Sequence, residues 1–395
     1  MTTRPCLNCI TPPHILTRLL DSRDDAIRAA ALRTFLATER LRGERAVRSL
    51  MGITAAGPSS GRRTVYDCHR RRILPAASIA HTEDGPASSD ASVNRAFDGL
   101  GDTRGFFLEI FERNSIDGNG MRLEGYVHFG NSYNNAFWDG REMVFGDGDG
   151  RIFTDFTRSL DVIGHELSHG VTEHTAGLEY HGQSGALNES MSDVFGSLVK
   201  QWKNRQSAAE ADWLIGAEIL TPEIDADALR SMKAPGQAYD NPLLGKDPQP
   251  AHMRDFVELP DTEEGDFGGV HINSGIPNHA FYLAATAIGG YAWEAPGHVW
   301  YQALLASHQN TGFSEFASTT VQKAGELYGN GSDVQKAVYD AWAQVGIRSG
   351  SRPGTPSSDQ PGEQQPGLID VVTRLDTLID EVRALSAELQ KSRTR

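Results

Sequence analysis

The chain has 395 residues, of which 39% are hydrophobic, and its formal net charge is −15. A chain of this length can bury two sizeable cores, and no segment approaches the roughly 18 uninterrupted apolar residues of a membrane-spanning helix. The charge is uneven, because residues 1–63 contain 11 Arg, no Lys and 5 acidic residues. Such a basic arm is typical of nucleic-acid binding. The acidic remainder of the same chain is the simpler partner, so we expect no nucleic acid and no membrane span.

The basic arm is predicted to be largely helical. Ser22 and Asp25 have the spacing of a helix capping box, and Ala, Leu and Arg recur at helical spacing from there to about Leu50. Gly, Pro and Ser concentrate in residues 52–63, which predicts a flexible segment. No signal-peptide pattern is visible, because Arg18 interrupts the early apolar run and no small-residue cleavage site follows.

The three cysteines are Cys6, Cys9 and Cys68. The CxxC pair formed by Cys6 and Cys9 leaves three interpretations open: metal binding, a disulfide, or a thiolate that ligates a metal ion elsewhere in the chain as a latency switch. An odd count without a disulfide framework fits a reducing compartment as well as any other.

The most informative motif is His165-Glu166-Leu167-Ser168-His169. On a helix of about 3.6 residues per turn, histidines four positions apart leave the same face and can bind one metal ion. The pattern alone is only moderately specific, because two surface histidines on a helix produce it by chance. With a third protein ligand, zinc in such a site lowers the pKa of a bound water to about 7, and Glu166 can accept its proton.

A second cluster, with the sequence Asn-Glu-Ser-Met-Ser-Asp, supplies the third ligand. Its Glu189 follows the first motif after 19 intervening residues. Asp193, four residues later on the same helix face, can hold the other ring nitrogen of a ligand histidine. The alternative pattern with a third histidine ligand requires Gly and His where this chain has Thr172 and Thr175, so it does not fit. We therefore predict one catalytic zinc ion with three protein ligands: His165, His169 and Glu189.

The C-terminal region changes in composition. Ser, Pro, Gly and Gln dominate residues 349–367, which predicts a flexible linker. Beyond it, apolar residues recur every seven positions in two interleaved rows, which predicts an amphipathic heptad helix over residues 368–395. These residues are Leu368, Val371, Leu375, Leu378, Val382, Leu385 and Leu389. The helix can form a homo-oligomer through residues 368–390 or fold back on the rest of the chain, and both interpretations stay open.

Residues 64–346 resemble the thermolysin family of zinc metallopeptidases. The two metal motifs and residues 133–140, 146–150, 229–232 and 268–275 match in the same order. The resemblance implies an α+β, two-lobed fold with a mainly β lobe over residues 61–160 and an α-helical lobe over residues 161–348. The zinc site would lie in the cleft between the two lobes. The implied activity is that of a neutral zinc endopeptidase.

The resemblance also implies roles for individual residues. Glu166 matches the family's general base. His271 and Tyr180 match the hydrogen-bond donors to the oxyanion, and Asp266 matches the carboxylate that orients His271. The positions that hold the substrate backbone are Asn135, Ala136 and Arg230. Of these, Ala136 is expected on an edge strand along which an extended peptide can lie.

The family's pocket for the residue after the scissile bond matches apolar positions in this chain. They are Phe153, Phe156, Val162, Ile215, Ile219 and Leu229. Without the resemblance, these would be ordinary core residues. We expect cleavage before Leu, Phe or similar bulky side chains, with a broad preference because one methylene changes discrimination by only about 1 to 3 kcal/mol.

The family's double calcium site is built from carboxylates. This chain keeps Asp161 and Asp212 but has Lys200 and Ala217 where two glutamates are expected. Calcium takes about six to eight oxygen ligands. We therefore expect the double calcium site to be lost, with the Lys200 ammonium paired to the two aspartates in place of an ion.

Residues 12–16, Pro-Pro-His-Ile-Leu, resemble the motif in the short propeptides of protealysin-like members of the family. The resemblance implies that residues 1–60 form a basic helical propeptide that covers or enters the cleft as an intramolecular inhibitor. Cleavage within residues 52–63 would remove it. The alternative is a permanent helical appendage.

Two functions remain. The first is an endopeptidase made as a self-inhibited precursor that acts on peptides or proteins, and the intact Glu166, Tyr180 and His271 favour it. The alternative is a catalytically silent zinc-binding interaction protein that acts through its C-terminal helix. The resemblance implies secretion, whereas the missing signal pattern leaves a cytoplasmic location or non-standard export open.

Overall fold

The computed structural model describes residues 8–50, 63–348 and 350–353. These residues all belong to one compact unit. The predicted heptad helix, nearly all of the predicted linker and all of the predicted cleavage segment except Arg63 fall outside the described residues. No helix in the described part of the chain is long and apolar enough to cross a membrane.

A six-stranded mixed sheet dominates the first part of the chain. Its strands are β1 (Asn8–Cys9), β2 (Arg63–Asp67), β3 (Ser78–Thr82), β4 (Leu123–Val127), β5 (Ala136–Trp138) and β6 (Met143–Phe145), in the order β1-β5-β6-β4-β2-β3. The pairs β2/β4 and β4/β6 are parallel, and the others are antiparallel. The strands β5 and β6 are buried throughout, which explains why they are apolar without alternation.

The arm contributes the edge strand β1, which the sequence analysis did not predict. Its Cys9 lies opposite Phe137 of β5. The arm continues as helices α1 (Pro13–Leu20) and α2 (Asp25–Leu50), and a proline at the first position of α1 suits a helix start. The predicted capping box was wrong: the carboxylate of Asp24 accepts the hydrogen bonds from the backbone of Ala26 and Ile27, at 2.8 and 3.3 Å. An aspartate at this position satisfies N–H groups that have no partner within the helix.

The rest of the described chain is mainly helical. Its helices are α3 (Ala91–Phe111), α4 (Leu160–Glu173), α5 (Gly182–Asn204), α6 (Asp266–Asn273), α7 (Gly275–Ile288), α8 (Ala295–Ala306), α9 (Phe313–Tyr328) and α10 (Asp333–Gln344). Two short antiparallel pairs join β7 (Leu214–Ile215) to β8 (Arg230–Ser231) and β9 (Asp240–Asn241) to β10 (Gly245–Lys246). A sheet-rich region followed by helices confirms the predicted α+β class.

Helices α4 and α5 pack closely because a glycine lies at their contact. A Cβ atom on Gly196 would lie 2.4 Å from the backbone oxygen of Asp161, well inside van der Waals contact. Only a residue without a side chain permits this approach. The close packing brings the middle of α5 against the face of α4 that carries His165 and His169.

Candidate active site

The two histidines of the first motif and the glutamate of the second converge at the α4/α5 contact. The Nε2 atoms of His165 and His169 lie 3.0 Å apart. The carboxylate oxygens of Glu189 lie 3.6 Å from the first of these atoms and 3.5 Å from the second. All three side chains are buried. The helical spacing thus produces the convergence that the sequence predicts.

The outer nitrogens of both histidines are held by side chains of α5. His165 Nδ1 donates to Asp193 at 2.8 Å, and His169 Nδ1 donates to Asn188 at 2.8 Å. These bonds place the ring proton on Nδ1 and leave the Nε2 lone pair directed at the shared point. The sequence analysis predicted Asp193 but missed Asn188, although Asn188 directly precedes Glu189 in the same motif.

The three residues fit a zinc ion. Ligands about 2.0 to 2.1 Å from a tetrahedral centre lie about 3.3 Å from one another, close to the separations of the two Nε2 atoms and the Glu189 oxygens. Glu189 Oε2 is buried and accepts no hydrogen bond from the described residues, as expected of an oxygen that needs a cation. Burial lowers the pKa of His169 to about 3, against the opposing charge of Glu189, so the imidazole is neutral as a metal ligand must be.

Glu166 lies beside this group and points toward β5. Its Oε2 accepts a hydrogen bond from the backbone of Trp138 at 3.0 Å, whereas its buried Oε1 accepts none from the described residues. Burial and the charge of Glu189 raise the pKa of Glu166 well above its ordinary value, opposed by the amides of Trp138 and Ile10. A carboxylate in this environment has an increased proton affinity.

Two hydrogen-bond donors, His271 and Tyr180, lie on the other side of the group. His271 Nδ1 lies 2.5 Å from Asp266, whose second oxygen accepts the backbone N–H of His271 at 2.8 Å. Burial alone would lower the pKa of His271, but the charges of Glu189 and Asp266 raise it to about 9. Tyr180 donates to Glu189, and its hydroxyl lies 3.2 Å from His271 Nε2. Near neutral pH, His271 is therefore a cation with two N–H donors.

Arg230 is tied to the metal-binding group through Asp193. Its Nε and Nη2 each donate to this carboxylate at 2.8 Å, and Asn278 donates to the same carboxylate at 2.8 Å. Burial alone would raise the pKa of Asp193, but the charge of Arg230 lowers it below its ordinary range. Asp193 is therefore a fully satisfied buried anion that couples His165 to Arg230. Asn278 was missed by the sequence analysis, because it contacts Asp193 across 85 residues of chain.

The arm covers this site. The backbone of Ile10 donates to the carbonyl of Ala136 at 3.2 Å, and its own carbonyl accepts from Arg230 at 3.1 Å. The backbone of Thr11 donates to Asn135 at 3.0 Å. All three positions that the resemblance assigns to the substrate backbone therefore contact residues 10 and 11 of the same chain.

The six apolar residues assigned to the specificity pocket are all at most 1% exposed. They belong to the same hydrophobic cluster as Ile10, whose side chain is 0% exposed. The six pocket residues are Phe153, Phe156, Val162, Ile215, Ile219 and Leu229.

Cys9 is not a member of the metal-binding group, which consists of His165, His169 and Glu189. Its side chain packs in a separate apolar cluster with Phe129, Tyr133 and Phe137, while its carbonyl oxygen lies 3.1 Å from His271 Nε2. The interpretation of this residue as a thiolate latency switch is therefore wrong for Cys9, and Cys6 lies outside the described residues.

Lys200 forms the contacts that the sequence analysis predicts. Its Nζ lies 2.7 Å from Asp161 and 3.0 Å from Asp212, and it donates to the carbonyl of Leu214 at 2.9 Å. Burial alone would lower the pKa of Lys200, but the charges of the two aspartates raise it above its ordinary value. The ammonium is thus fully ionised among oxygen atoms, and Ala217 supplies no side-chain ligand.

Comparison with known proteins identifies the family. The profile described as "Thermolysin metallopeptidase, catalytic domain" matches residues 65–173, and "Thermolysin metallopeptidase, alpha-helical domain" matches residues 176–347. The chain is 47% identical over 357 residues to "Extracellular metalloprotease" from Pectobacterium carotovorum subsp. carotovorum, covering 88% of this chain and 98% of the relative. It is 39% identical over 291 residues to "Thermolysin" from Bacillus sp. (strain EA1), covering 71% of this chain and 50% of that protein.

A solved structure is also similar. It is described as "Precursor of Protealysin, Metalloproteinase from Serratia proteamaculans", with a TM-score of 0.77 and 47% sequence identity. The match covers 86% of this chain and 99% of that one. The chain therefore belongs to the thermolysin family of zinc-dependent metallopeptidases and is a metalloendopeptidase with a site for a metal ion at His165, His169 and Glu189.

Proposed function

We propose that the chain is a zinc endopeptidase made as a self-inhibited precursor, which hydrolyses peptide bonds before bulky apolar residues with Glu166 as general base. The observation that carries this proposal is the substrate-like path of residues 9–11 across a complete set of catalytic side chains. Backbone hydrogen bonding to an edge strand is a general mode of peptide recognition.

His165, His169 and Glu189 would hold the zinc ion, which when bound acts as a Lewis acid and lowers the pKa of water to about 7. The protein's own groups move the protons. Glu166 Oε1, which has no hydrogen-bond donor among the described residues, takes a proton from the attacking water and returns it to the leaving nitrogen.

His271 and Tyr180 stabilise the charge that develops on the substrate's carbonyl oxygen. The raised pKa of His271, about 9, keeps it a cation near neutral pH. Asp266 fixes its ring through Nδ1, so the Nε2 proton points into the cleft without reorganisation during the reaction. Removal of one such donor typically costs about 10²- to 10³-fold in kcat.

The apolar specificity is supported by the arm itself. Ile10 is a β-branched aliphatic residue and is wholly buried next to the cleft residues that hold its backbone. We place Leu, Phe and similar side chains of substrates in the same region, lined by the six apolar residues named above. Substrate peptides must displace the arm before they can bind there.

The propeptide assignment for residues 1–60 is supported by polar contacts between α2 and the body of the chain. Arg42 pairs with Glu263, and Arg45 donates to the carbonyl of Trp138 and pairs with Glu173, both at 3.2 Å. These contacts use the basic excess of the arm against the acidic excess of the body. We propose that cleavage within residues 52–63 releases the arm, and that the lobes divide near residue 160. The enzyme would act outside the cell, as two relatives are named "Extracellular metalloprotease" and "Extracellular minor metalloprotease".

We also propose that Lys200 takes the place of calcium. The ammonium lies between Asp161 and Asp212 where a divalent cation would need more oxygen ligands than remain. A variant with K200E and A217E should gain calcium-dependent stability of about 2.7 kcal/mol at a hundredfold excess over the dissociation constant. The wild-type melting temperature should not respond to calcium, and an equal response in both proteins would contradict the proposal.

The experiment that tests the function is hydrolysis of a Gly-Leu amide by enzyme freed from its arm, with and without a chelator. We expect zinc-dependent hydrolysis, and an E166Q variant that binds zinc equally but turns over at least ~100-fold more slowly. Wild-type protein with one zinc ion and a free cleft that hydrolyses no peptide would refute the proposal and favour the silent interaction protein.

A further inference from the structure

We propose that the Cys9–Ile10 peptide bond is itself a cleavage site, which the enzyme cuts within its own chain before the arm is released. The inference rests on the proposed function. It names a second cleavage position in the arm, because the catalytic side chains are aligned with this particular peptide bond.

The register is fixed by the backbone on the C-terminal side of the bond. Ile10 is held at both its N–H, by Ala136, and its carbonyl, by Arg230. The next amide, of Thr11, donates to Asn135 at 3.0 Å. On the N-terminal side, β1 pairs antiparallel with β5, with Cys9 opposite Phe137. A shift of one residue would reverse the faces on which the side chains lie, so this pairing specifies one bond.

The catalytic groups flank that bond. The carbonyl oxygen of Cys9, which would take up the negative charge, lies 3.1 Å from His271 Nε2. The amide of Ile10, which would leave as an amine, donates to the carbonyl of Ala136 in β5, and the same strand holds Glu166, whose Oε2 accepts from the backbone of Trp138 at 3.0 Å. An oxyanion donor on one side of the bond and a proton carrier on the other is the arrangement that hydrolysis needs.

The reaction balances without any further reactant than water. The oxygen of water bonds to the Cys9 carbonyl carbon while Glu166 takes one proton, and the bond from this carbon to the Ile10 nitrogen breaks. Glu166 returns the proton to the nitrogen. The second proton of the water passes from the new carboxyl group to the amine, so the products are a carboxylate at Cys9 and an α-ammonium group at Ile10.

The cut alone would not release the arm. Residues after Ile10 keep their own contacts, such as His14 to Tyr239 at 2.9 Å and Thr38 to Tyr133 at 2.9 Å. Asn8 and Cys9, in contrast, lose their covalent anchor and can leave the edge of β5 before the scissile position. Cutting at this bond and cutting within residues 52–63 are therefore separate events with separate products.

The test follows the N-terminus of the full-length, zinc-loaded chain by intact mass and terminal sequencing. We expect a product that begins at Ile10, formed at a rate independent of protein concentration and at least ~100-fold more slowly in E166Q. An I10D variant should form it at least ~10-fold more slowly, whereas I10L should stay within about tenfold of wild type. Cleavage within residues 52–63 that leaves an arm with its first nine residues intact would overturn the proposal, as would a concentration-dependent rate.

A second measurement, amide hydrogen exchange, does not depend on catalysis. It detects a variant in which residues 9–11 no longer bind along β5. In metal-free E166Q chain, the amides of Ile10 and Thr11 should exchange hydrogen slowly, and free exchange at both would overturn the register. Hydrolysis of the Gly-Leu amide by arm-free enzyme is measured in parallel. Activity there without the product that begins at Ile10 sinks this inference alone, whereas no activity in either assay sinks the proposed function.

Discussion

Replacement of Lys200 by Met tests how much the buried ion pair between Lys200 of α5 and Asp161 of α4 contributes to stability. The ammonium lies 2.7 Å from Asp161, and the two side chains are 10% and 1% exposed. Removal of one partner of a buried pair costs about 3 to 5 kcal/mol, because the other charge stays buried. Asp161 keeps hydrogen bonds from Ser159 at 2.6 Å and from the backbone of Gly216 at 3.2 Å. We therefore expect a loss near the lower end, about 3 kcal/mol.

A matched control lies on the same helix. Lys203 pairs with Asp102, also at 2.7 Å, but the two side chains are 51% and 21% exposed. A K203M variant should lose less than about 1 kcal/mol. Both are compared by urea unfolding in an E166Q background, which prevents self-digestion. Equal urea midpoints for K200M and K203M would show that burial does not determine how much each ion pair contributes to the free energy of unfolding.

Three further outcomes follow from the site and its surroundings. The hydrogen bond to Asp147 raises the pKa of His128 to about 9, so its stabilisation is complete below pH 6.5 and lost as the pH rises through 9. Relative to H128Q, wild type should lose on the order of 2 kcal/mol over that range in urea titrations, and parallel pH profiles would contradict this. N188A should weaken zinc binding about 10- to 100-fold in a chelator competition by freeing the ring of His169, and unchanged affinity would remove that role. Y180F should lower kcat about 10²- to 10³-fold with zinc content unchanged, whereas a change in KM alone would assign Tyr180 to substrate binding.

The metal-binding group could be predicted because its geometry is mostly local. A spacing of four residues places His165 and His169 on one face of a helix. The second motif, residues 188–193, supplies Glu189 as the third ligand. Asp193 followed from its spacing on the same helix. Asn278 could not be predicted in this way, since its contact with Asp193 depends on how α7 packs against α5.

Strand β1 of the arm could not be predicted from the sequence. Two extended residues that form β1 carry no periodic pattern, so only the free edge of β5 determines that they pair. The orientation of Cys9 depends on that pairing too, because side chains alternate across a strand and a shift of one residue exchanges the faces. Capping by Asp24 instead of Ser22 reflects a difference of two residues, which is within the ordinary uncertainty of a helix boundary.

The zinc content of a Glu189→Ala variant, compared with wild type under the same chelator concentration, tests the central claim most directly. We expect one zinc ion per chain in wild type and E166Q, and loss of that ion in the E189A variant while its helical circular dichroism is preserved. A folded variant that keeps its zinc with wild-type affinity would contradict the claim that this carboxylate and the two histidines share one metal ion.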